Sequence, residues 1–347
     1  MTTMRAAIFR GPGQLTIEEV PRVPPGPGQI AVQVRAAVTC GTDLKSYRRG
    51  HPKLFPQLPA RFGHEFAGVV SQVGAGVDRF HVGERVVAAN TAPCGFCWAC
   101  AIGRESQCEN LVFLNGAFAE EIVVPEAIVK RNTYHLPDDL SFEAAAPLEP
   151  LSTVVHGIDE AGIRLGDTVI VHGAGPIGLM FTRLATLQGA TVISVDQSSY
   201  RLEQAAAAGA TTTVDISGLD PAQAVEAMTA HTPGGRGADV SIEAVGLPAV
   251  WEQALAATRP AGLALWFGGT PAGAPVTVDS SRIHYQELTM KGVFHHQPKY
   301  VATAVDLLAT GRFDGRSLIT ETRPLEALVT SLEDMAAGRG SKYALVP

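Results

Sequence analysis

The spacing of apolar residues along the chain changes near residue 150. Before that point, short apolar or alternating runs occur at Arg5–Phe9, Ile30–Val38 and Phe66–Val70. Clusters rich in proline or glycine, Pro24–Gly28 and Gly74–Gly76, lie between them. Such runs, bounded by turn-forming residues, are typical of β-strands. Residues 1–150 are therefore predicted to form a β-rich barrel or sandwich.

Strands and helices alternate after residue 150. The apolar pattern predicts, in chain order, a strand at Thr168–Val171, a helix at Ile177–Gln188, a strand at Thr191–Val195, a helix at Ser199–Ala208, and strands at Val240–Glu243 and Ala264–Phe267. This alternation indicates βαβ units on a parallel sheet, so the fold class is α/β. We expect this second domain to span residues 151–285.

The C-terminal stretch, about 286–347, combines a predicted helix at Tyr300–Ala309 with short extended pieces. We expect these pieces to return to the first domain and complete it.

Composition narrows the class of partner. The chain has 347 residues, of which 46% are hydrophobic and 18% charged, so two domains with buried cores are expected. A net charge of −7 disfavours nucleic acid and anionic membranes as partners. No run approaches the roughly 18 apolar residues that a membrane span needs, and Met1–Phe9 lacks the apolar core of a signal peptide. We expect a cytoplasmic protein that acts on a small molecule.

A GxGxxG motif, Gly173-Ala-Gly-Pro-Ile-Gly178, lies directly between a predicted strand and a predicted helix. Gly173 allows the tight turn, Gly175 lets the backbone approach a pyrophosphate, and Gly178 lets the helix pack on the strand. Pro176 begins the helix, and its first turn, from Ile177 onward, offers unpaired N–H groups to the phosphates. The motif predicts a dinucleotide site.

Asp196 ends the second strand of that unit, eighteen residues after Gly178. A carboxylate there would accept hydrogen bonds from the adenosine ribose and repel a 2′-phosphate, which favours NAD over NADP. Arg201 lies five residues further on and weakens that preference. The alternative is a glycine-rich packing turn followed by an ordinary surface Asp.

Four of the five cysteines, Cys94, Cys97, Cys100 and Cys108, fall within fifteen residues. Close CxxC spacing in a chain that looks cytosolic favours a metal over a disulfide framework. Four thiolates close a tetrahedral shell and leave no open position, so this four-cysteine loop (Cys94–Cys108) is predicted to hold a structural zinc.

Cys40 stands apart, and His64, Glu65 and Glu149 are the other candidates for its site. A thiolate, an imidazole and a carboxylate can supply the three protein ligands of a catalytic zinc with one exchangeable position. Spacing alone does not join these residues, and a single Cys or His is often simply a buried core residue.

Several strings resemble the zinc-containing medium-chain dehydrogenases. They are Gly63-His-Glu-Phe-Ala-Gly-Val-Val-Ser-Gln-Val-Gly74, Phe80-His-Val-Gly-Glu-Arg-Val-Val87, Cys40-Gly-Thr-Asp43, the four-cysteine loop, the GAGPIG turn and Gly311. The resemblance runs over essentially the whole chain. It implies a GroES-like, β-rich catalytic domain, with its zinc lobe at about 90–110, and a Rossmann domain with a doubly wound parallel sheet. It also implies a homodimer or homotetramer.

The resemblance assigns roles residue by residue. Cys40, His64 and Glu149 are implied to bind the catalytic zinc, with Glu65 as an alternating or second-shell ligand. Two zinc ions per chain are therefore expected, with NAD as the second cofactor. Glu149 stands where many relatives have a cysteine, as in the sorbitol, other polyol and threonine dehydrogenases.

Other roles follow from the same resemblance. Thr42 matches the hydroxyl at the first step of the proton relay. Lys45 is expected to contact the cofactor ribose, and whether Lys45 also relays protons is left open. Thr153 and His156 are expected beside the nicotinamide or pyrophosphate, or else in helix packing, and Val245 is included among the cofactor contacts. The pair His295-His296 follows a strand-like run, Lys291-Gly-Val-Phe294. The pair either hydrogen-bonds a polyhydroxylated substrate or marks a strand end or subunit contact.

The implied activity is hydride transfer between NAD(H) and a secondary alcohol or ketone, such as a polyol, sugar alcohol, cyclitol or amino alcohol. The alternatives are a biosynthetic ketone reductase acting on a cyclitol-type intermediate, and a non-catalytic NAD-binding relative. Intact candidate ligands argue against the last.

Overall fold

The computed structural model of the protein describes residues 2–52 and 54–347. These residues divide into two units, Met1–Ser152 with His296–Pro347, and Thr153–His295. Among the described residues, no helix is both long and apolar enough to cross a lipid bilayer.

The N-terminal part of the first unit is mainly β-structure. Its strands are β1 (Thr3–Gly11), β2 (Gln14–Pro21), β3 (Ile30–Val38), β4 (Ala60–Arg61), β5 (Phe66–Val73), β6 (Arg85–Ala88), β7 (Thr91–Ala92), β8 (Val112–Phe113), β9 (Glu121–Val124) and β10 (Thr133–His135). Its helices are α1 (Gly41–Arg49), α2 (Trp98–Ala101), a 3₁₀ turn (Glu105–Gln107), α3 (Glu126–Asn132), α4 (Phe142–Ala145) and the start of α5 (Leu148–Ala161).

The second unit alternates strands with helices. Its elements after α5 are β11 (Thr168–His172), α6 (Pro176–Leu187), β12 (Thr191–Asp196), α7 (Ser199–Ala207), β13 (Thr212–Asp215), α8 (Pro221–Thr229), a 3₁₀ turn (Pro233–Gly235), β14 (Ala238–Glu243), α9 (Pro248–Ala256), β15 (Thr258–Trp266), α10 (Ser280–Tyr285) and β16 (Thr289–Gly292).

The C-terminal part returns to the first unit. It contains α11 (Pro298–Ala309), a 3₁₀ turn (Gly315–Leu318), β17 (Glu321–Pro324), a 3₁₀ turn (Leu325–Ala327), α12 (Leu328–Ala336) and β18 (Tyr343–Val346).

The largest sheet of the first unit has the order β10-β6-β5-β3-β18-β17, with β9 also paired to β3. Smaller sheets have the orders β2-β1-β4 and β7-β8. Seven of the nine β3 side chains are buried, as expected for a strand at the centre of a core. Next to it, the rings of Phe9, Phe55 and Phe62 pack with centroids 5.1–5.4 Å apart. Each buried aromatic ring contributes about 1.5–3 kcal/mol of hydrophobic stabilisation.

β18 decides where the chain end lies. It pairs antiparallel with β3, with Ala344 opposite Val38 and Leu345 opposite Ala37. This pairing places the residues just before β18 beside those just after β3.

The sheet of the second unit is fully parallel, with the order β13-β12-β11-β14-β15-β16. All five residues of β11 are buried, because a central parallel strand is covered on both faces by its crossover helices. The strand order reverses between β11 and β14. Ligands of such sheets bind outside the carboxyl ends of the strands at this reversal.

The division between the units falls at 295/296, ten residues later than the 285/286 expected from the sequence pattern. The reason is β16, which pairs in parallel with β15. The extended piece expected at Lys291–Phe294 is a strand only as far as Gly292, because its partner β15 ends at Trp266, opposite Gly292.

Candidate active site

Cys40 lies at the turn from β3 into α1, where it is the N-cap residue of the helix. Its Sγ accepts a hydrogen bond from the backbone N–H of Thr42 at 3.4 Å. In return, Asp43 Oδ2 accepts one from the backbone N–H of Cys40 at 2.9 Å. This reciprocal cap satisfies N–H groups that the first helical turn leaves unpaired. The thiol is thereby fixed at the positive end of α1. Burial and the charge of Glu65 nevertheless raise the pKa of Cys40, against the opposing effect of His64.

His64 is buried and faces Asp43, with 3.2 Å between His64 Nδ1 and Asp43 Oδ1. We assign the proton to Nδ1, since a carboxylate can only accept, so Nε2 keeps its lone pair. Burial alone lowers the pKa of His64, but the Asp43 carboxylate more than offsets this and holds that pKa well above its ordinary value. A metal that binds the imidazole therefore releases a proton.

The ligand atoms of Cys40, His64 and Glu65 all lie within 4.8 Å of one another. Glu65 is 1% exposed, and its Oε1 is buried and has no hydrogen-bond partner among the described residues. A buried carboxylate oxygen in this state is costly unless a cation or a donor completes it. A thiolate, an imidazole and a carboxylate gathered in this way fit a zinc ion.

Lys342 is a charged neighbour of this group that sequence reasoning missed. It is 2% exposed, and its Nζ donates to the Thr39 carbonyl oxygen at 2.7 Å and to Glu65 Oε2 at 2.5 Å. Burial lowers the pKa of Lys342, but the charges of Glu65, Cys40 and Asp43, with the hydrogen bond to Glu65, together outweigh burial and raise that pKa above its ordinary value. The cation is in place because β18 pairs with β3.

Glu149 lies in the first turn of α5 and is buried. Burial raises the pKa of its carboxyl to about 7, with His64 acting in the opposite direction. Its carboxylate is not part of the 4.8 Å group of Cys40, but it lies within that distance of a ring nitrogen of His296. His296 is buried too, and its Nε2 is 3.2 Å from Thr91 Oγ1.

The other residues expected at this site lie on α1. Thr42 is half-buried and contacts Cys40 Sγ through its backbone N–H, as described above. Lys45 is exposed, one helical turn further along.

The sulfur atoms of the four-cysteine loop are gathered at one point. Cys97 Sγ is 3.5 Å from Cys100 Sγ and 3.9 Å from Cys108 Sγ, and Cys94 Sγ is 4.0 Å from Cys100 Sγ. Disulfide sulfurs would be about 2.05 Å apart. Four sulfurs bound at 2.3 Å to one zinc ion stand about 3.8 Å apart at tetrahedral angles. The loop therefore has the dimensions of a closed zinc site.

Hydrogen bonding and burial act on the thiols of this loop in opposite directions. The backbone N–H of Phe96 holds the pKa of Cys94 low, at about 6. Burial and the neighbouring sulfurs raise the pKa of Cys100 to about 12. All four thiols ionise together only when a cation balances them, which again fits zinc.

In the second unit, the glycine turn (Gly173–Gly178) follows β11 at the reversal of strand order. Gly173 has φ +94°, a conformation that other residues rarely adopt, and the side chain of Val245 packs against it. A Cβ on Gly178 would lie 1.7 Å from the Gly173 carbonyl oxygen, so only glycine fits there. Gly175 has open space within 4 Å on its Cβ side and is the N-cap residue of α6, which begins with Pro176 and Ile177. The turn leaves that space at a helix N-terminus, as an anion site requires.

Asp196 ends β12 beside this turn. Its Oδ2 accepts from the backbone N–H of Ala174 at 2.7 Å, and its Oδ1 accepts from Gln197 and Ser198 at 2.8 and 3.0 Å. Arg201 Nη1 lies 3.9 Å from Oδ2. The carboxylate is therefore held in a fixed orientation, with a guanidinium at its side. Thr153, the remaining expected cofactor contact, is buried on α5.

Glu243 is a second residue that sequence reasoning missed. This fully buried carboxylate at the end of β14 accepts from the backbone N–H groups of Val245 (2.8 Å), Gly246 (2.7 Å) and Gly268 (3.2 Å). It ties the loop after β14 to the loop after β15. A Glu at a strand end carries no sequence signal for this role.

Comparisons with known proteins agree with this geometry. Residues 26–138 match the alcohol dehydrogenase GroES-like domain, and residues 176–310 match the zinc-binding dehydrogenase domain. The chain is 32% identical to the sorbitol dehydrogenase of Bacillus subtilis, over 95% of this chain and 93% of that protein. It is 34% identical to the L-threonine 3-dehydrogenase of the same organism, over 92% and 91% of the two chains.

The chain belongs to the zinc-containing medium-chain alcohol dehydrogenases. The predicted fold, a GroES-like β-rich domain with a Rossmann doubly wound parallel sheet, is confirmed, as is the place near the polyol and threonine dehydrogenases. A putative zinc-binding dehydrogenase from Sinorhizobium meliloti 1021, solved with bound NADP, superposes with a TM-score of 0.91 at 31% identity and covers both chains fully. In this dehydrogenase, the GroES-like match contains Cys40, His64 and the four-cysteine loop, and the second match contains the second half of the glycine turn and Asp196.

Proposed function

We propose that this dehydrogenase transfers a hydride between NAD(H) and a secondary alcohol or its ketone, with a polyol, sugar alcohol, cyclitol or amino alcohol as substrate. The observation that carries the proposal is the group formed by half-buried Cys40 with buried His64 and Glu65, with Glu149 also buried in the same unit. The relatives described above, a sorbitol and a threonine dehydrogenase, support this substrate class.

In this proposal Cys40 and His64 hold the catalytic zinc together with a carboxylate, either Glu149 or Glu65. The four-cysteine loop holds a second, structural zinc. Zinc held by Cys40, His64 and a carboxylate would supply Lewis-acid chemistry to the substrate oxygen. Asp43 keeps the proton of His64 on Nδ1 and so directs the Nε2 lone pair to the metal.

The residues of the chain then bind the cofactor and move the proton. Gly175 and the first N–H groups of α6 bind the pyrophosphate, and Asp196 accepts from the adenosine ribose. Gly173 and Val245 shape the turn, and Thr153 lies along the cofactor. The Thr42 hydroxyl takes the first step of the relay toward solvent, and Lys45 contacts the ribose. The nicotinamide supplies the hydride chemistry, which the protein only positions.

The test is incubation of the purified protein with NAD and a panel of polyols, cyclitols and amino alcohols, followed by NADH absorbance. Formation of NADH with at least one member is expected. Absence of NADH formation with every member of the panel, with two zinc ions bound per chain, would contradict the proposal. Glu149→Gln and Glu65→Gln then compare the two carboxylates, and the ligand is the one whose loss removes zinc from the site.

We further propose a homodimer or homotetramer in the cytoplasm. Exposed apolar side chains in the second unit support association, among them Tyr285 and Phe294, which are 82% and 61% exposed. Light scattering after size exclusion is expected to give two or four times the mass of the chain, and a monomer would contradict the oligomer.

A further inference from the structure

The two carboxylate oxygens of Glu65 have different surroundings. Its Oε2 accepts a hydrogen bond from Lys342 Nζ at 2.5 Å, whereas its Oε1 is buried and, within residues 2–52 and 54–347, has no hydrogen-bond partner. One carboxylate oxygen lies within 4.8 Å of both Cys40 Sγ and a ring nitrogen of His64. Glu65 is thus bound on one side to a fixed cation, and its remaining lone pairs are available to a metal.

The ion pair between Lys342 and Glu65 is buried from solvent. The exposed fractions of the two side chains are 3% and 0%. Water does not screen their attraction, and a buried Lys is rare unless it is paired. The ammonium is also anchored to the backbone next to a candidate ligand, because it donates to the carbonyl oxygen of Thr39. Its charge therefore stays at one place.

The charges around the candidate metal site indicate a role for Lys342. A zinc dication held by the Cys40 thiolate and one Glu149 carboxylate is neutral. The buried carboxylates of Glu65 and Asp43 add two further negative charges, and Lys342 balances the one on Glu65. Without that balance, Glu65 would be an unpaired buried anion whose nearest available partner is the metal.

We propose that Lys342 is a positioning residue that limits how strongly Glu65 binds the metal at Cys40 and His64. It thereby keeps one coordination position open for the substrate oxygen. This inference rests on the proposed function, because it requires a metal at that site. Zinc in catalytic sites works with an open fourth position and can expand to five ligands, so the strength of one extra carboxylate decides whether the position is free.

A purely structural role for Lys342 predicts the opposite sign. If the ion pair only fastened β18 to β3, its removal would loosen the site and speed the loss of metal. If Lys342 restrains Glu65, removing the positive charge strengthens the hold on a dication by simple electrostatics. The direction of the change in metal release therefore separates the two roles.

The experiment measures the rate at which zinc passes from the protein to a chromogenic chelator. The variants are Lys342→Met, which removes the charge, and Lys342→Arg, which keeps it. Lys291→Met is the matched control, because it breaks another Lys–Glu contact of 2.5 Å, with Glu160, within the second unit. The phase of release that disappears in Cys40→Ala belongs to this site, and the phase from the four-cysteine loop is the internal reference.

Lys342→Met is expected to slow zinc release from the Cys40 site about tenfold. Its cobalt-substituted form is expected to lose visible absorption intensity, because a higher coordination number weakens the d–d bands. Lys342→Arg and Lys291→Met are expected to match the wild type in both measurements. Release at the wild-type rate or faster, with unchanged cobalt bands, would overturn the inference.

If Lys342→Met does not fold, as judged by circular dichroism, Glu65→Gln tests the same idea from the other side. It leaves Lys342 unpaired beside the metal, so zinc release is expected to be about tenfold faster, and an unchanged rate would overturn the inference. Absence of a Cys40-dependent zinc phase in the wild type would instead contradict the proposed function. A phase that is present but insensitive to Lys342→Met contradicts only the inference about Lys342.

Discussion

Gly175 and Gly178 lie three residues apart in the same turn, yet alanine at each position should have a different effect. The perturbation is one methyl group in each case. At Gly178 the new Cβ would lie 1.7 Å from the Gly173 carbonyl oxygen, so backbone must move to admit it. At Gly175 the Cβ side is open within 4 Å, and φ −71° with ψ −179° suits any L-residue.

The magnitudes follow from these contacts. Gly178→Ala is an overpacking change and should destabilise the second unit by about 1–3 kcal/mol. Gly175→Ala should leave stability unchanged or raise it slightly, by about 0.4–1 kcal/mol, since alanine restricts the unfolded chain. Its methyl group would occupy the space where we place the pyrophosphate. Loss of one charge-assisted hydrogen bond there, about 1.5–3 kcal/mol, corresponds to a fall in NADH affinity of about 10- to 100-fold.

The assay pairs urea unfolding, followed by far-UV circular dichroism, with NADH fluorescence titration. Gly178→Ala should lower the urea midpoint, while Gly175→Ala should retain the midpoint and lose affinity. Wild-type affinity for NADH in Gly175→Ala would refute the close approach of the pyrophosphate. An unchanged midpoint in Gly178→Ala would refute the argument from the 1.7 Å contact.

Three further predictions concern buried or charged groups of the second unit. Burial lowers the pKa of His172 from 6.5 to about 4, so between these pH values the unfolded chain binds a proton that the folded chain does not bind. The contribution of His172 to stability is therefore fully present above pH 6.5, and about 3 kcal/mol of the free energy of unfolding is lost as the pH falls to 4. Urea midpoints at pH 7 and 4.5 should show this loss, and His172→Gln should reduce the difference; equal pH dependence in both proteins would contradict it. Asp196→Ser removes the carboxylate beside Arg201 and should raise the ratio of NADP to NAD kcat/KM by about tenfold or more, whereas an unchanged ratio would mean that Asp196 does not select the cofactor. Glu243→Gln should weaken NADH binding about tenfold while zinc stays at two per chain, because the loops after β14 and β15 lose a charged acceptor; intact affinity would exclude this positioning role.

Candidate sites formed by residues close together in the chain could be predicted from the sequence. The backbone geometry of the glycine turn could be predicted, because a strand, three glycines and a helix follow one another directly in the chain. The four-cysteine loop likewise brings its sulfurs together within fifteen residues. The period of the apolar residues predicted β11, α6 and β12 to within one residue at each end, because covered parallel strands and amphipathic helices have distinct spacings.

The ends of the strands and the choice of metal ligands were harder to predict from the sequence. In the extended run Lys291–Phe294, β16 ends at Gly292, opposite the last residue of β15, and the backbone N–H of Val293 makes only a long bond of 3.4 Å to the Trp266 carbonyl oxygen. Glu65 and Glu149 were both candidate ligands in the sequence. The structure groups Glu65 with Cys40 and His64, and places Glu149 beside His296. Their roles as ligands stay predictions, which the zinc measurements test.

Lys342 shows most clearly what the sequence could not decide. In Gly340-Ser-Lys-Tyr-Ala-Leu345 a lysine before an apolar strand is typical of a surface position. Its partner Glu65 is 277 residues away in the chain, and no spacing rule reaches that far. The sequence by itself determined the four-cysteine loop, the glycine turn and the class of fold, because each depends on residues that are close together in the chain. Only the tertiary structure, through the pairing of β18 with β3, decided that a buried cation stands next to the candidate zinc ligands.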